Sequence, residues 1–150
     1  MTMNEQFATA FGIGRIPYMP GTAASLAAVI LAVPVMYFVG WVGMALLAVV
    51  TAVAGVWFSD AYALEIGVND PGECVIDEFA GQWLACAFAP LTPAGFFLAF
   101  VLFRLFDAAK PWPVSKAEEL RGGLGIVADD VGAGLIAGVV VFLIAQSGFL

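Results

Sequence analysis

Along the 150-residue chain the charged positions gather in three stretches, 1–15, 59–78 and 104–130, and apolar residues fill the rest. From Ile16 to Ser59, 44 consecutive residues carry no charge. At about 20 residues per crossing of a hydrocarbon core, that is room for two helices. Gly40 is the natural break, giving "TAASLAAVILAVPVMYFV" at 22–39 and "WVGMALLAVVTAVAGVWF" at 41–58. Pro34 is a candidate kink in the first, and Tyr37, Trp41 and Trp57 suit membrane interfaces, where amphipathic rings settle. Residues 59–78 are polar, with a turn signal at Asn69-Asp70-Pro71-Gly72.

Phe79–Phe103 is again free of charge, but "PLTP" at 90–93 divides it. Two prolines three apart remove two donors and strain a helix, so the pattern predicts a hairpin of two short helices, about 75–89 and 94–109. Some 15 residues reach only about 22 Å against a core of about 30 Å, so these helices must tilt, thin the bilayer or pack inside the bundle. Residues 110–125 read as a polar connection with a short surface helix, Ser115 and Glu118 forming its capping box and Gly122-Gly123 stopping it. Val131–Leu150 reads as the last span.

Composition turns these segments into a fold class. The chain is 63% hydrophobic and 11% charged, where a soluble domain carries roughly a quarter charged residues. So little charge cannot cover a water-soluble surface. The expectation is an all-α integral membrane bundle of about five membrane helices, two of them short and paired as a hairpin, with short surface helices, in one domain over 1–150. Arg15, Arg104, Lys110, Lys116 and Arg121 all fall on one side of this topology, which the positive-inside rule assigns to the cytoplasm. Every acid falls on the same side. The first fifteen residues have no basic stretch ahead of the apolar ones and no cleavage site follows, so no cleaved secretory signal is expected.

Other features narrow the chemistry. There is no histidine, which excludes histidine triads, phosphohistidine and HExxH zinc sites. The two cysteines, Cys74 and Cys86, are too few for a disulfide framework or structural zinc and read as structural. A net charge of −7 argues against a nucleic-acid partner. What remains is a set of acids at the membrane ends of apolar helices: Asp77-Glu78, Asp107 and Asp129-Asp130.

Asp77, Gly81 and Ala85 share one helical stripe, as do Asp130, Gly134 and Gly138. Small residues below a carboxylate let a neighbouring helix approach closely. The two stripes can therefore pack and bring their carboxylates within metal-bridging distance. Singly, each acid also reads as a helix-end residue favoured by the dipole. Adjacent pairs near a low dielectric call for a compensating cation, and hard oxygen ligands without histidine or thiolate indicate Mg²⁺ or a similar ion. Arg104, Asp107 and Lys110 follow at i, i+3 spacing, either as an intrahelical ion-pair ladder or as a ligand flanked by phosphate-holding cations. In "GIGRIPYMPGTAAS" (12–25), Thr22 can cap a helix with Ser25 one turn on, and Arg15 lies near: an anion-binding turn or a plain membrane entry.

These motifs carry a resemblance. "PGT" at 20–22 with Ser25, "DP" at 70–71, "VIDEFAGQW" at 75–83, "FRLFDAAKPWP" at 103–113 and "GGLGIVADDVGAG" at 122–134 stand in order, and the chain resembles the phosphatidylglycerophosphatase A family over roughly residues 11–140. Ala24 stands where members often have glycine, and Asn69 where some carry histidine. The resemblance implies a Mg²⁺-dependent phosphomonoesterase of the bacterial inner membrane, acting at its cytoplasmic face on phosphatidylglycerophosphate. It implies Asp77, Glu78, Asp107, Asp129, Asp130 and Asp70 as metal ligands, with Asp77, Asp129 and Asp130 catalytic. Arg104 and Lys110 fall on the basic positions of the third motif, and Arg15, Thr22 and Ser25 are further candidates for the phosphate. The nucleophile stays open between a metal-held water and a carboxylate, Asp77 or Asp129. Also open are another lipid phosphate as substrate, a non-catalytic scaffold, and self-association. A cation transporter would need polar groups through the bilayer, which only Gln82, Thr51 and Ser147 could extend.

Overall fold

The computed structural model describes residues 1–150, which are helical with no strand. In chain order the helices are α1 (Met3–Ala8), α2 (Pro20–Ile66), α3 (Ile76–Ala87), α4 (Pro93–Ala109), α5 (Val114–Ala117) and α6 (Gly122–Gln146), with a 3-10 turn at Ile13–Arg15.

The 47 residues of α2 would run about 70 Å if straight. They do not, because Gly40 leaves helical geometry at φ 69°, ψ −173°, a positive φ that glycine takes without strain. Gly21, near the start of α2, lies against the Glu78 side chain, and Gly55 lies against Ile76. Both halves thus meet the start of α3, and the chain reverses direction at Gly40. Pro34 stays within helical geometry and does not break the helix. The second half runs to Ile66, two turns beyond the expected end at 58, and closes on Gly67 in the left-handed region.

The PLTP hairpin forms. Thr92 caps α4, its Oγ1 accepting a bond from the Gly95 amide at 3.0 Å, and Pro93 sits in the first turn, where its missing N–H costs nothing. The last helix differs from expectation. It starts at Gly122, so Gly122-Gly123 opens α6 rather than stopping a helix, and Asp129-Asp130 lie two turns inside it. The reason is tertiary: Asp60 of α2 accepts a bond from the Gly123 amide at 3.1 Å, capping α6 from another helix. The Ser115–Glu118 capping box is absent, since α5 is a single turn after Pro113 and Glu118 pairs with Lys110 instead. The sequence reading did not anticipate α1, which has its own Thr2–Glu5 capping box and stacks Phe7 on Phe58 at 4.5 Å.

α3 is packed between α2 and α6, with α4 beside them. Where α3 meets α6 there is no room for side chains: a Cβ on Gly81 would overlap the Asp130 carbonyl, and one on Gly134 the Gly81 carbonyl. Ala85, Ala133 and Ala137 are fully buried nearby. Lipid tails are as apolar as these residues, so such contacts rest on van der Waals packing rather than hydrophobic gain. Trp83 ties α3 to α2 through a 2.8 Å bond to the Ala28 carbonyl. Outward faces carry bare Ile30, Phe38, Val53, Trp57 and Leu143, more apolar surface than a soluble monomer shows. Two helices, α2 and α6, are long and apolar enough to cross a membrane. The charged residues all gather at the end where α3 and α6 begin; the other end holds Gly40, the PLTP turn and the C-terminus.

Candidate active site

Close packing of α3 on α6 sets the central carboxylates. Asp77 and Glu78 stand in the first turn of α3, and Asp130 faces them from α6. One oxygen from each of Asp77, Glu78 and Asp130 falls within 4.8 Å of the others, and the same holds for Asp107, Asp129 and Asp130. The two triads share Asp130. Asp77 and Asp129 each accept a bond at 3.0 Å from the amide of the next residue, which fixes their rotamers. Glu78 Oε2 and Asp130 Oδ2 are buried and have no partner. Buried polar atoms are nearly always satisfied, so two orphaned carboxylate oxygens in one cluster call for a ligand that brings positive charge.

Two cations border the cluster. Arg104 Nη1 lies 2.7 Å from Asp107 Oδ2, an ion pair that holds the guanidinium against the second triad. Of the two readings of its spacing, Lys110 does not follow the one that extends an Arg104–Asp107 ladder. It sits past the end of α4 in the left-handed region, which swings its ammonium to Asp129 at 2.8 Å and Glu118 at 2.9 Å. Burial alone lowers the Lys110 pKa, but those bonds more than reverse the effect and the net shift is upward. The ammonium therefore stays charged at neutral pH.

Around the cluster opens a cavity of about 770 Å³ lined by Asp70, Asp77, Glu78, Asp107, Asp129 and Asp130, with Lys110, Arg121 and Asp60 at its sides. Asp70 lines it without belonging to either triad. Three predicted phosphate contacts do not line this cavity. Arg15 pairs with Glu5 and, at 3.5 Å, with Glu73. Ser25 is fully buried and donates to the Gly21 carbonyl at 2.9 Å. Thr22 lies within the first turn of α2, whose cap is Met19 with no side-chain bond. What the PGT motif does bring is Gly21, whose missing side chain leaves room for Glu78 and, beside it, Arg104.

Sequence reasoning missed Asp60 and Arg121. Asp60 acts through a contact 63 residues distant, which local pattern cannot show. Arg121 entered only as a marker of membrane sidedness; the signal was its place directly before the glycines that open α6. Unlike the other four basic side chains, it makes no ion pair.

The fold and cluster define a helical, membrane-type protein with a one-sided carboxylate centre. A protein-family model described as Phosphatidylglycerophosphatase A matches residues 6–145. A phosphatidylglycerophosphatase A of Escherichia coli (strain K12) is 37% identical over 142 residues, covering 91% of this chain and 80% of that protein. One of Haemophilus influenzae is 37% identical over 139 residues, covering 91% and 85%. A Bacteroides thetaiotaomicron protein, whose provisional name is phosphatidylinositol-3-phosphatase, is 35% identical over 134 residues, covering 85% and 84%. No solved structure matches. The chain belongs to the phosphatidylglycerophosphatase A family.

Proposed function

We propose that this chain removes the terminal phosphate of phosphatidylglycerophosphate, releasing phosphatidylglycerol and phosphate, with Mg²⁺ as cofactor, at the cytoplasmic face of the bacterial inner membrane. The observation that carries the reading is the pair of carboxylate triads sharing Asp130, with two oxygens unpartnered, in a member of this family. Five carboxylates against Arg104 and Lys110 leave an excess of negative charge that the protein alone does not offset. An oxygen-only donor set suits a hard divalent cation. Asp77, Glu78 and Asp130 would hold one ion, and Asp107, Asp129 and Asp130 a second. When bound, Mg²⁺ supplies charge for the phosphate oxygens and for the negative charge that develops in transfer. Arg104, paired with Asp107 on one side, offers its remaining N–H groups to the phosphate, and Lys110 keeps Asp129 in place. Arg121, unpaired at the cavity side, draws the anionic headgroup in.

Residues 1–150 act as one transmembrane domain with five membrane segments: the two halves of α2, the short helices α3 and α4, and α6. At 12 and 17 residues, α3 and α4 reach about 18 and 26 Å, so the cluster at their charged end lies near the headgroup plane. The gathering of every basic residue at that end supports its cytoplasmic placement.

Phosphate release by the purified chain in detergent tests the activity. Turnover of phosphatidylglycerophosphate is expected with Mg²⁺ and is expected to stop with a chelator. Turnover indifferent to the chelator would remove the metal from the reading. The Bacteroides relative favours a second substrate, so phosphatidylinositol 3-phosphate belongs beside the first. Release from it alone would reassign the substrate, and release from neither by folded protein would defeat the phosphatase reading.

Topology has its own test. Thr92 caps α4, so the half-exposed neighbour Leu91 is the position to label. The native thiols stay silent: both are buried, and burial above all raises the Cys74 pKa to about 11. In intact cells an impermeant maleimide should label Leu91→Cys and spare Lys116→Cys. The opposite pattern would invert the orientation.

A further inference from the structure

A second cavity, of about 710 Å³, lies between the first half of α2 and α4 and shares no residue with the carboxylate cavity. Leu26, Ile30 and Val33 line it from α2, Phe97 and Phe100 from α4. It carries no charge, and its size falls within the range of small-molecule sites. α2 and α4 touch little along its length, because α3 packs against both and holds them apart. From Leu26 to Phe38 the groove follows α2 for roughly 18 Å, more than half the hydrocarbon thickness.

The polar end decides what it takes. On α4, Phe97, Phe100, Arg104 and Asp107 follow at three- and four-residue spacing, so one helix face runs from the groove to a cation and then to a triad. On α2, Gly21 lies five residues before Leu26, on the side of the helix that meets α3 rather than on the groove's face, and a Cβ there would stand 3.4 Å from Arg104 Nη1 and would overlap Glu78. Apolar wall first, then a half-buried cation beside the carboxylate cluster, is the order of a phospholipid: acyl chain, then phosphorylated headgroup.

We propose that the groove between α2 and α4 seats an acyl chain of the lipid substrate, leading to the headgroup bound at Arg104 and the triads; this rests on the phosphatase reading. The groove fixes the lipid's depth, so that the terminal phosphate meets the triads without the lipid leaving the bilayer. A substrate lacking acyl chains reaches the triads from the aqueous cavity and gains nothing from the groove.

The test compares diacyl phosphatidylglycerophosphate in mixed micelles with its deacylated headgroup, using the full chain, Val33→Trp to fill the groove, and Val53→Trp as an exposed control outside it. Val33→Trp is expected to raise KM for the diacyl substrate by about tenfold with kcat nearly kept, and to leave the deacylated substrate within about twofold. Val53→Trp is expected to leave both unchanged. Equal losses on both substrates, or no loss on either, would overturn the proposal. A second measurement does not need turnover: a benzophenone amino acid in place of Phe97 is expected to cross-link to the phospholipid's chain, competed by added phosphatidylglycerophosphate. Cross-linking to another copy of the chain, or uncompeted labelling by any lipid, would overturn it. Failure of the wild type on both substrates would count against the phosphatase reading, while the cross-link would still judge the groove.

Discussion

Asp130→Asn is expected to lower phosphate release from phosphatidylglycerophosphate by about 10³-fold, the scale of losing a principal electrostatic contact to developing charge. Asp130 is the residue that both triads share, and its Oδ2 is buried without a partner. Asparagine keeps the shape but removes one negative charge and puts an N–H₂ group where a cation belongs. The stability effect should run the other way. In metal-free protein five carboxylates crowd together, and neutralising one relieves repulsion, so the metal-free Tm should hold or rise. Saturating Mg²⁺ stabilises a protein that binds it only when folded, by about 2.7 kcal/mol at a hundred times Kd. That Mg²⁺-dependent rise in Tm should vanish in Asp130→Asn. Asp70→Asn is the control, because Asp70 lines the cavity outside both triads and should cost less than about tenfold. A variant at Asp130 that keeps its rate within tenfold and its Mg²⁺-induced Tm rise would remove the shared ligand from the proposal.

Much of this arrangement was legible because it depends on local pattern. The stripes Asp77-Gly81-Ala85 and Asp130-Gly134-Gly138 follow from helical spacing, and the structure presses them together at Gly81 and Gly134. Gly138 meets the Phe88 ring rather than backbone, so the second stripe touches the α3 helix along only part of its length. The breaks at Gly40 and PLTP were legible too, since each residue there restricts or frees the backbone by its own chemistry. The start of α6 was not, because Gly122-Gly123 is a stop signal unless a side chain elsewhere caps the helix, and Asp60 does. The ladder reading of Lys110 fails for a related reason. Its spacing from Asp107 presumes a continuing helix, and the left-handed residue at the helix end aims the side chain at α6. Arg15 is near the phosphate motif in sequence, but its charge is committed to Glu5 and Glu73, and a sequence does not show which acids a flexible arginine meets.

Gly134→Val should cost about 3 kcal/mol or more, at or beyond the upper end of ordinary overpacking. Most overpacked cores yield by turning a side chain, and that relief is missing here. A Cβ on Gly134 meets the Gly81 carbonyl oxygen, its carbon and its Cα, the latter two at 2.8 Å, all of them backbone of a helix. α3 is pressed in turn against α2, where Gly55 lies 3.4 Å from an Ile76 methyl on the same measure, so it cannot retreat far. The helices must part, and parting them separates Asp77 and Glu78 from Asp130. Thermal unfolding in detergent should therefore show a lower Tm, and phosphate release should fall together with the Mg²⁺-induced Tm rise. Gly134→Ala adds only the methyl, but that methyl is the atom that overlaps, so it should show a smaller loss of the same kind. Leu135→Ala, one residue on and half exposed, should stay within about 0.5 kcal/mol with activity intact. Wild-type activity and Tm in Gly134→Val would mean that something other than the α3–α6 contact holds the two triads together.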